Sequence, residues 1–188
     1  MLKNEMLSLP RNWEAVLEQM MLAQPDDKRE RAYICSPCRS DTASGIFCNM
    51  KAARVYMFYA YIHLPGLPTA PHAYLPILLN EKSIRERAMA MRFGSKLLIT
   101  CSKMYVCGDR LSEGMYGEII EAIDHYIPVQ VFNRKVFDDL REYLAIRDID
   151  PENLHYEDGH LHFALAMGAD ELAAYWEEGH DANLLPTG

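Results

Sequence analysis

Short apolar runs alternate with longer stretches of helical spacing from residue 32 to residue 145. AYIC (32–35), Leu67 to Ala70, the run holding Met104, Val106 and Cys107, and PVQVF (128–132) are too short for helices and read as strands. Between them apolar residues recur at three- and four-residue intervals. Thr42 to Ile62 predicts a long helix with Ile46, Ala53, Met57, Ala60 and Tyr61 on one side, ended by Pro65 and Gly66. Residues 82 to 100 predict a helix with Ile84, Ala88, Met91 and Leu98 inward. Met115 to His125 carries Met115, Ile119, Ala122 and Ile123 at helical spacing, and Lys135 to Ala145 carries Val136, Leu140 and Leu144. This alternation predicts an α/β protein, a doubly wound parallel sheet covered by helices on both faces. Ligands of such sheets bind at the carboxyl ends of the strands. The loops at those ends are SPCRSDT, PHAYLP, GDRLSEGM and FNRK, and they are expected to meet in space.

The ends of the chain break the alternation. Residues 12 to 23 predict a helix with Trp13, Val16, Leu17 and Met20 on one face, and the charged PDDKRER (25–31) follows as a linker. Residues 1–31 therefore read as an arm that packs on the main domain or on a partner chain, and 32–147 as the domain itself. In 148–188, LHYEDGHLHF places Asp158-Gly159 between two alternating runs, a strong hairpin signal. In that register Leu154, Tyr156, Leu161 and Phe163 share one face, and His155, Glu157, His160 and His162 the other. A helix from Ala169 to Glu178 closes this extension.

Composition narrows the function classes. The chain has 188 residues, 49% hydrophobic and 24% charged, as expected of one globular domain with an added terminal element. A net charge of −8 argues against a nucleic-acid binder or a protein held on an anionic membrane surface, but allows a small phosphorylated ligand held by two or three local cations. No apolar run approaches the roughly 20 residues that span a bilayer. The N-terminus lacks the long apolar region of a secretory signal. Five cysteines without an export signal read as reduced thiols in a cytoplasmic protein.

The chemistry concentrates in Lys103 to Glu118, KMYVCGDRLSEGMYGE: a strand, a turn with Gly108, Ser112 and Gly114, then a helix start. Ser112 is a candidate N-cap, and a strand leading through small residues into a helix N-terminus is a ready anion site. The helix dipole favours an ionised Glu118, and such a carboxylate at the floor of a pocket can act as a nucleophile. The plain alternative is an acid near a helix start for the dipole alone. Cys35-Ser-Pro-Cys38 has the spacing and the strand-end position of a redox dithiol, or is a buried strand cysteine with an incidental loop cysteine. The histidine face of the hairpin could hold a transition metal, or is simply the polar outer face. His72 is a pocket donor or a loop-capping residue. Arg39 could grip a phosphate, or is an ordinary exposed arginine.

AYICSPCR with the later NMKAARVY, then PTAPHAYLP, then VCGDRLSEGMYGEIIEA, resembles the nucleoside 2-deoxyribosyltransferase-like superfamily, in an uncharacterised bacterial and mobile-element branch. The match covers roughly residues 32 to 132, and its most specific part is Ser112-x-Gly114-x-x-x-Glu118. The resemblance implies a flavodoxin-like or Rossmann-like fold and cleavage or transfer at the N-glycosidic bond of a nucleoside or nucleoside 5′-monophosphate. It implies Glu118 as the nucleophile attacking the anomeric carbon, and Ser112 with the helix N-terminus at the sugar 5′ group or phosphate. Tyr33 and Arg39 match the first-strand tyrosine and the phosphate-side arginine. The substrate contacts so expected are Ser36, Arg39, His72, Ser112, Gly114 and Met115. No cofactor and no metal are called for, and a homo-oligomer in which a neighbour completes the pocket is implied. The Asp that handles the leaving base's proton in such enzymes has no counterpart: Arg92-Phe-Gly94-Ser95 holds no carboxylate, and Ser102 stands just before the third strand. Asp109 is the nearest substitute. The alternatives are a catalytically weak binding or assembly module of the same fold, and a dithiol oxidoreductase.

Overall fold

The computed structural model describes residues 29–79, 83–158 and 162–177. The proposed helix over 12–23 lies outside them. Five parallel strands run in the order β2-β1-β3-β4-β5: β1 Arg31–Cys35, β2 Leu67–Thr69, β3 Lys103–Val106, β4 Val129–Val131 and β5 Leu154–Tyr156. The helices are α1 Ala43–His63, α2 Leu75–Leu78, α3 Ile84–Leu98, α4 Glu113–Asp124, α5 Arg134–Ala145, α6 Phe163–Ala166 and α7 Ala169–Glu177. This is the flavodoxin-like, doubly wound α/β order.

The pleat of β1 sorts the two halves of the core. Ala32 and Ile34 face one way, where they pack with Tyr56 and Ala60 of α1, Leu165 of α6 and Leu172 of α7. Tyr33 and Cys35 face the other way, toward Leu98 of α3, Met115 and Ile119 of α4 and Leu140 of α5. Ladder bonds satisfy the backbone of the central strands, so their side chains are free to be almost wholly apolar.

Three expectations change. The stretch around Asp158-Gly159 forms no hairpin among the described residues: β5 joins the main sheet beside β4, and Phe163, expected in the returning strand, begins α6. Among the described residues its histidine face does not form; His155 is exposed on β5, while His162 sits edge-on to the rings of Tyr59 and Phe132. The buried face of α1 is Asn49, Met50, Ala52, Ala53, Tyr56, Tyr59 and Ala60; it includes the expected Ala53 and Ala60, while the expected Ile46, Met57 and Tyr61 are only half-buried. Finally, α3 buries only Gly94 and Leu98, and its expected inward residues Ile84 and Met91 are exposed.

Candidate active-site cleft

The strand order reverses between β1 and β3, and a cleft of about 500 Å³ opens at the carboxyl ends of the strands there. Cys38 and Arg39 come to it from the loop after β1. Pro71, His72, Leu75 and Pro76 come from the segment after β2, and Ser112, Glu113 and Gly114 from the turn after β3. The fourth expected loop stays away. Asn133 instead caps α5 by accepting from the Val136 amide (3.2 Å) and donates to the Ala166 carbonyl (2.8 Å). In its place α3 supplies a wall, with Arg87, Ala90, Met91, Arg92, Gly94, Ser95 and Lys96.

Glu118 lies at the floor. The Tyr33 hydroxyl donates to its Oε1 at 2.8 Å, and the Cys35 thiol also hydrogen-bonds the carboxylate. Both donors come from the central strand, so the acid is fixed by the most buried part of the sheet. Burial pushes Glu118 up to about 7, the bonds from Tyr33 and Cys35 hold it down, and the nearby Glu121 pushes it up further. The helix dipole, expected to keep this acid ionised, is outweighed by desolvation. Tyr33 and Cys35 are themselves raised, first by burial and then by the charge of Glu118, so both remain donors. A raised thiol is the reverse of the activated thiolate a dithiol oxidoreductase needs.

Three glycines make the site possible. A Cβ at Gly94 would stand 3.2 Å from the Tyr33 hydroxyl and 3.6 Å from Glu118 Oε1, so α3 can approach the pair only without a side chain there. Gly114 and Gly117 on α4 have nothing within 4 Å of where a Cβ would be, so they open the cleft rather than relieve a clash. Each costs the helix about 1 kcal/mol relative to alanine.

The other expected residues divide. Ser112 caps α4, its hydroxyl accepting from the Met115 amide at 3.4 Å. His72 lines the cleft and pairs with buried Ser36 (Oγ to Nε2, 2.8 Å); burial holds this imidazole down at about 4, hence neutral. Ser36 thus supports the wall from behind. Arg39 reaches Glu113 at 3.6 Å and Arg87 the same carboxylate at 4.0 Å, so two guanidinium groups stand at the mouth beside the α4 N-terminus. Met115 is buried in the core beneath α4 and does not line the cleft. Asp109 points to the opposite side of the sheet: it pairs with Arg110 at 3.6 Å, and its carboxyl covers Gly168, where a Cβ would meet it at 2.5 Å. Glu121 and Arg87 escaped the sequence reading, and Ser95 entered it only as part of a segment without a carboxylate. A polar residue every third or fourth position on a predicted surface helix gives no sign that the face is turned to a cleft.

The folded value of Glu118 lies above its ordinary 4.5. The folded state therefore holds this proton more tightly, and the associated stability is complete below about pH 4.5 and lost as pH rises through about 7. Urea unfolding at pH 5 and pH 8 is expected to show Glu118→Gln gaining on the wild type by on the order of 2 kcal/mol at the higher pH. Parallel pH profiles for the two proteins contradict this burial of charge.

A search of the curated proteins finds no match, and neither does one of the solved structures. Residues 30–132, more than half of the chain and the part that carries β1 to β4 and the whole cleft, match a family described as a domain of unknown function (DUF7768), and the chain belongs to that family.

Proposed function

We propose that the protein cleaves or transfers at the N-glycosidic bond of a nucleoside or nucleoside 5′-monophosphate, with Glu118 attacking the anomeric carbon. The observation that carries this reading is the Glu118 carboxylate at the floor of the switch-point cleft, held by Tyr33 and Cys35. Its resemblance to nucleoside 2-deoxyribosyltransferase-like enzymes rests on the same residues. Leu75, Pro76, Ala90 and Met91 give the cleft an apolar wall suited to a planar base. Arg39, Arg87 and the capped start of α4 suit a 5′-phosphate, which would displace Glu113 from the two arginines. Among the described residues, none of the five cysteines forms a disulfide, which fits a cytoplasmic protein. Among the described residues no helix is long and apolar enough to cross a membrane.

The working form in this proposal is a homo-oligomer. Met89 and Phe93 are exposed on the side of α3 opposite Met91 and the cleft, and Ile77 and Leu78 are exposed on α2, apolar exposure that suits a docking face. Sedimentation velocity at micromolar concentration is expected to give a dimer or larger, and a monomer contradicts the assembly.

A second reading, a nucleotide-binding module with weak or no catalysis, is favoured by the raised Glu118, which is half protonated near neutrality and so a poorer nucleophile. Incubation with purine and pyrimidine deoxynucleosides and their 5′-monophosphates separates the two. Free base is expected, lost by at least about 10³-fold in Glu118→Ala and lost also in Gly117→Leu, which fills the cleft. Ligand binding without base release supports the module, and neither binding nor release overturns both readings.

A further inference from the structure

A leaving base accepts an electron pair when the glycosidic bond breaks and needs a proton to become stable. One nucleophilic carboxylate cannot supply it. The cleft holds three acids, and they are not equivalent. Glu113 stands at the mouth, 84% exposed and engaged with Arg39 and Arg87. Glu118 is held at the floor by Tyr33 and Cys35. Glu121 is one turn further along α4, half-buried, and the Ser95 hydroxyl on the facing wall of α3 donates to its Oε1. His72 also lines the cleft, but it is neutral and bonded to Ser36.

We propose that Glu121, oriented by Ser95, is the second catalytic carboxylate of this cleft, giving a proton to the leaving base and then taking one from the attacking water. This rests on the glycosidic reading of Glu118. In the first step a Glu118 oxygen bonds to the anomeric carbon, the carbon–nitrogen bond breaks, its electron pair goes to the base nitrogen, and the Glu121 carboxyl proton follows to the base. In the second, Glu121, now a carboxylate, removes a proton from water as the water oxygen bonds to the anomeric carbon and Glu118 leaves. Both carboxyls return to their starting forms, and the sum is nucleoside plus water giving sugar plus base. Two carboxylates in these roles are a general solution to glycosidic cleavage. The charge of Glu121 is close enough to raise the tendency of Glu118 to hold a proton, so the two carboxyls act on the same end of the cleft. The Ser95 bond ties Glu121 to α3 while Glu118 is tied to β1, so each carboxyl has its own anchor.

The test compares two leaving groups on the same sugar: a purine, which needs a proton, and 4-nitrophenolate, which leaves without one. In the first turnover, which precedes the water step, Glu121→Gln is expected to slow purine release by about 10²-fold or more and nitrophenol release by less than about 3-fold. Ser95→Ala, which leaves the carboxyl in place but untethered, is expected to show the same selectivity at about 10-fold. Glu118→Gln is expected to abolish both. Equal slowing of the two substrates by Glu121→Gln, or no slowing, with an active wild type overturns the role of Glu121 alone. Release of neither leaving group by the wild type overturns the glycosidic reading and this inference with it.

Discussion

The hydrogen bond from the Tyr33 hydroxyl to Glu118 links the middle of the central strand to the helix that forms the cleft floor. It is charge-assisted when Glu118 is ionised, and with the bond from the Cys35 thiol it joins two elements that also meet through apolar packing. Its consequences spread outward. Tyr33 reaches the acid because β1 is central, flanked by β2 and β3, so its position is set by pairing on both sides. Helix α3 closes over the pair because Gly94 presents no side chain to it. A carboxylate in this setting is desolvated enough to titrate near neutrality, yet it keeps two donors that favour its charged form. Reactive acids need that balance, and a purely structural ion pair would be arranged with a cation instead.

The rest of the site reads as a sequence of local sacrifices around that bond. Gly94, Gly114 and Gly117 weaken two helices, and two of the three open space that nothing among the described residues fills. Helix α3 buries little of itself and leaves Ile84, Met89, Met91 and Phe93 in solvent. The opposite side of the sheet makes no such concessions. There α1, α6 and α7 pack on an apolar surface, with the Tyr56 hydroxyl bonded to the Met167 carbonyl at 2.6 Å and the Tyr105 hydroxyl to the Pro65 carbonyl at 2.6 Å. Both faces bury an apolar core, and the open cleft lies on the α3–α4 side.

The sheet and the order of its elements were legible in the sequence because each short apolar run sits between punctuating loops and α1, α3, α4 and α5 start at the capping residues Thr42, Ser83, Ser112 and Asn133. Facing was harder. Residues 43 to 63 are apolar nearly all round, so periodicity could not choose between the Ile46 side and the Asn49–Tyr56 side. Asp158-Gly159 carried the local chemistry of a tight turn, but Leu154–Tyr156 gains more as the fifth strand of an existing sheet than as half of an isolated hairpin. The site followed the same division. Glu118, Ser112, Arg39 and His72 sit on or beside a strand's carboxyl end, where topology alone predicts them. Asp109 shares that end, but the turn aims it at Gly168 on the other face, and Met115 shares the motif but points into the core. Glu121 and Ser95 were hidden because their meeting depends on how two helices cross, which no local pattern encodes.

The central claim is that Glu118 is a nucleophile, and the most direct measurement is the mass of the protein after exposure to a purine nucleoside, and its 5′-monophosphate, carrying fluorine at the sugar 2′ position. The fluorine slows loss of the sugar from the enzyme more than it prevents its arrival. The account predicts a protein heavier by one fluorinated sugar unit, with the added mass on the peptide that contains Glu118 and absent from Glu118→Gln. A wild-type protein that releases base yet remains unmodified, or that carries the sugar on another residue, contradicts it.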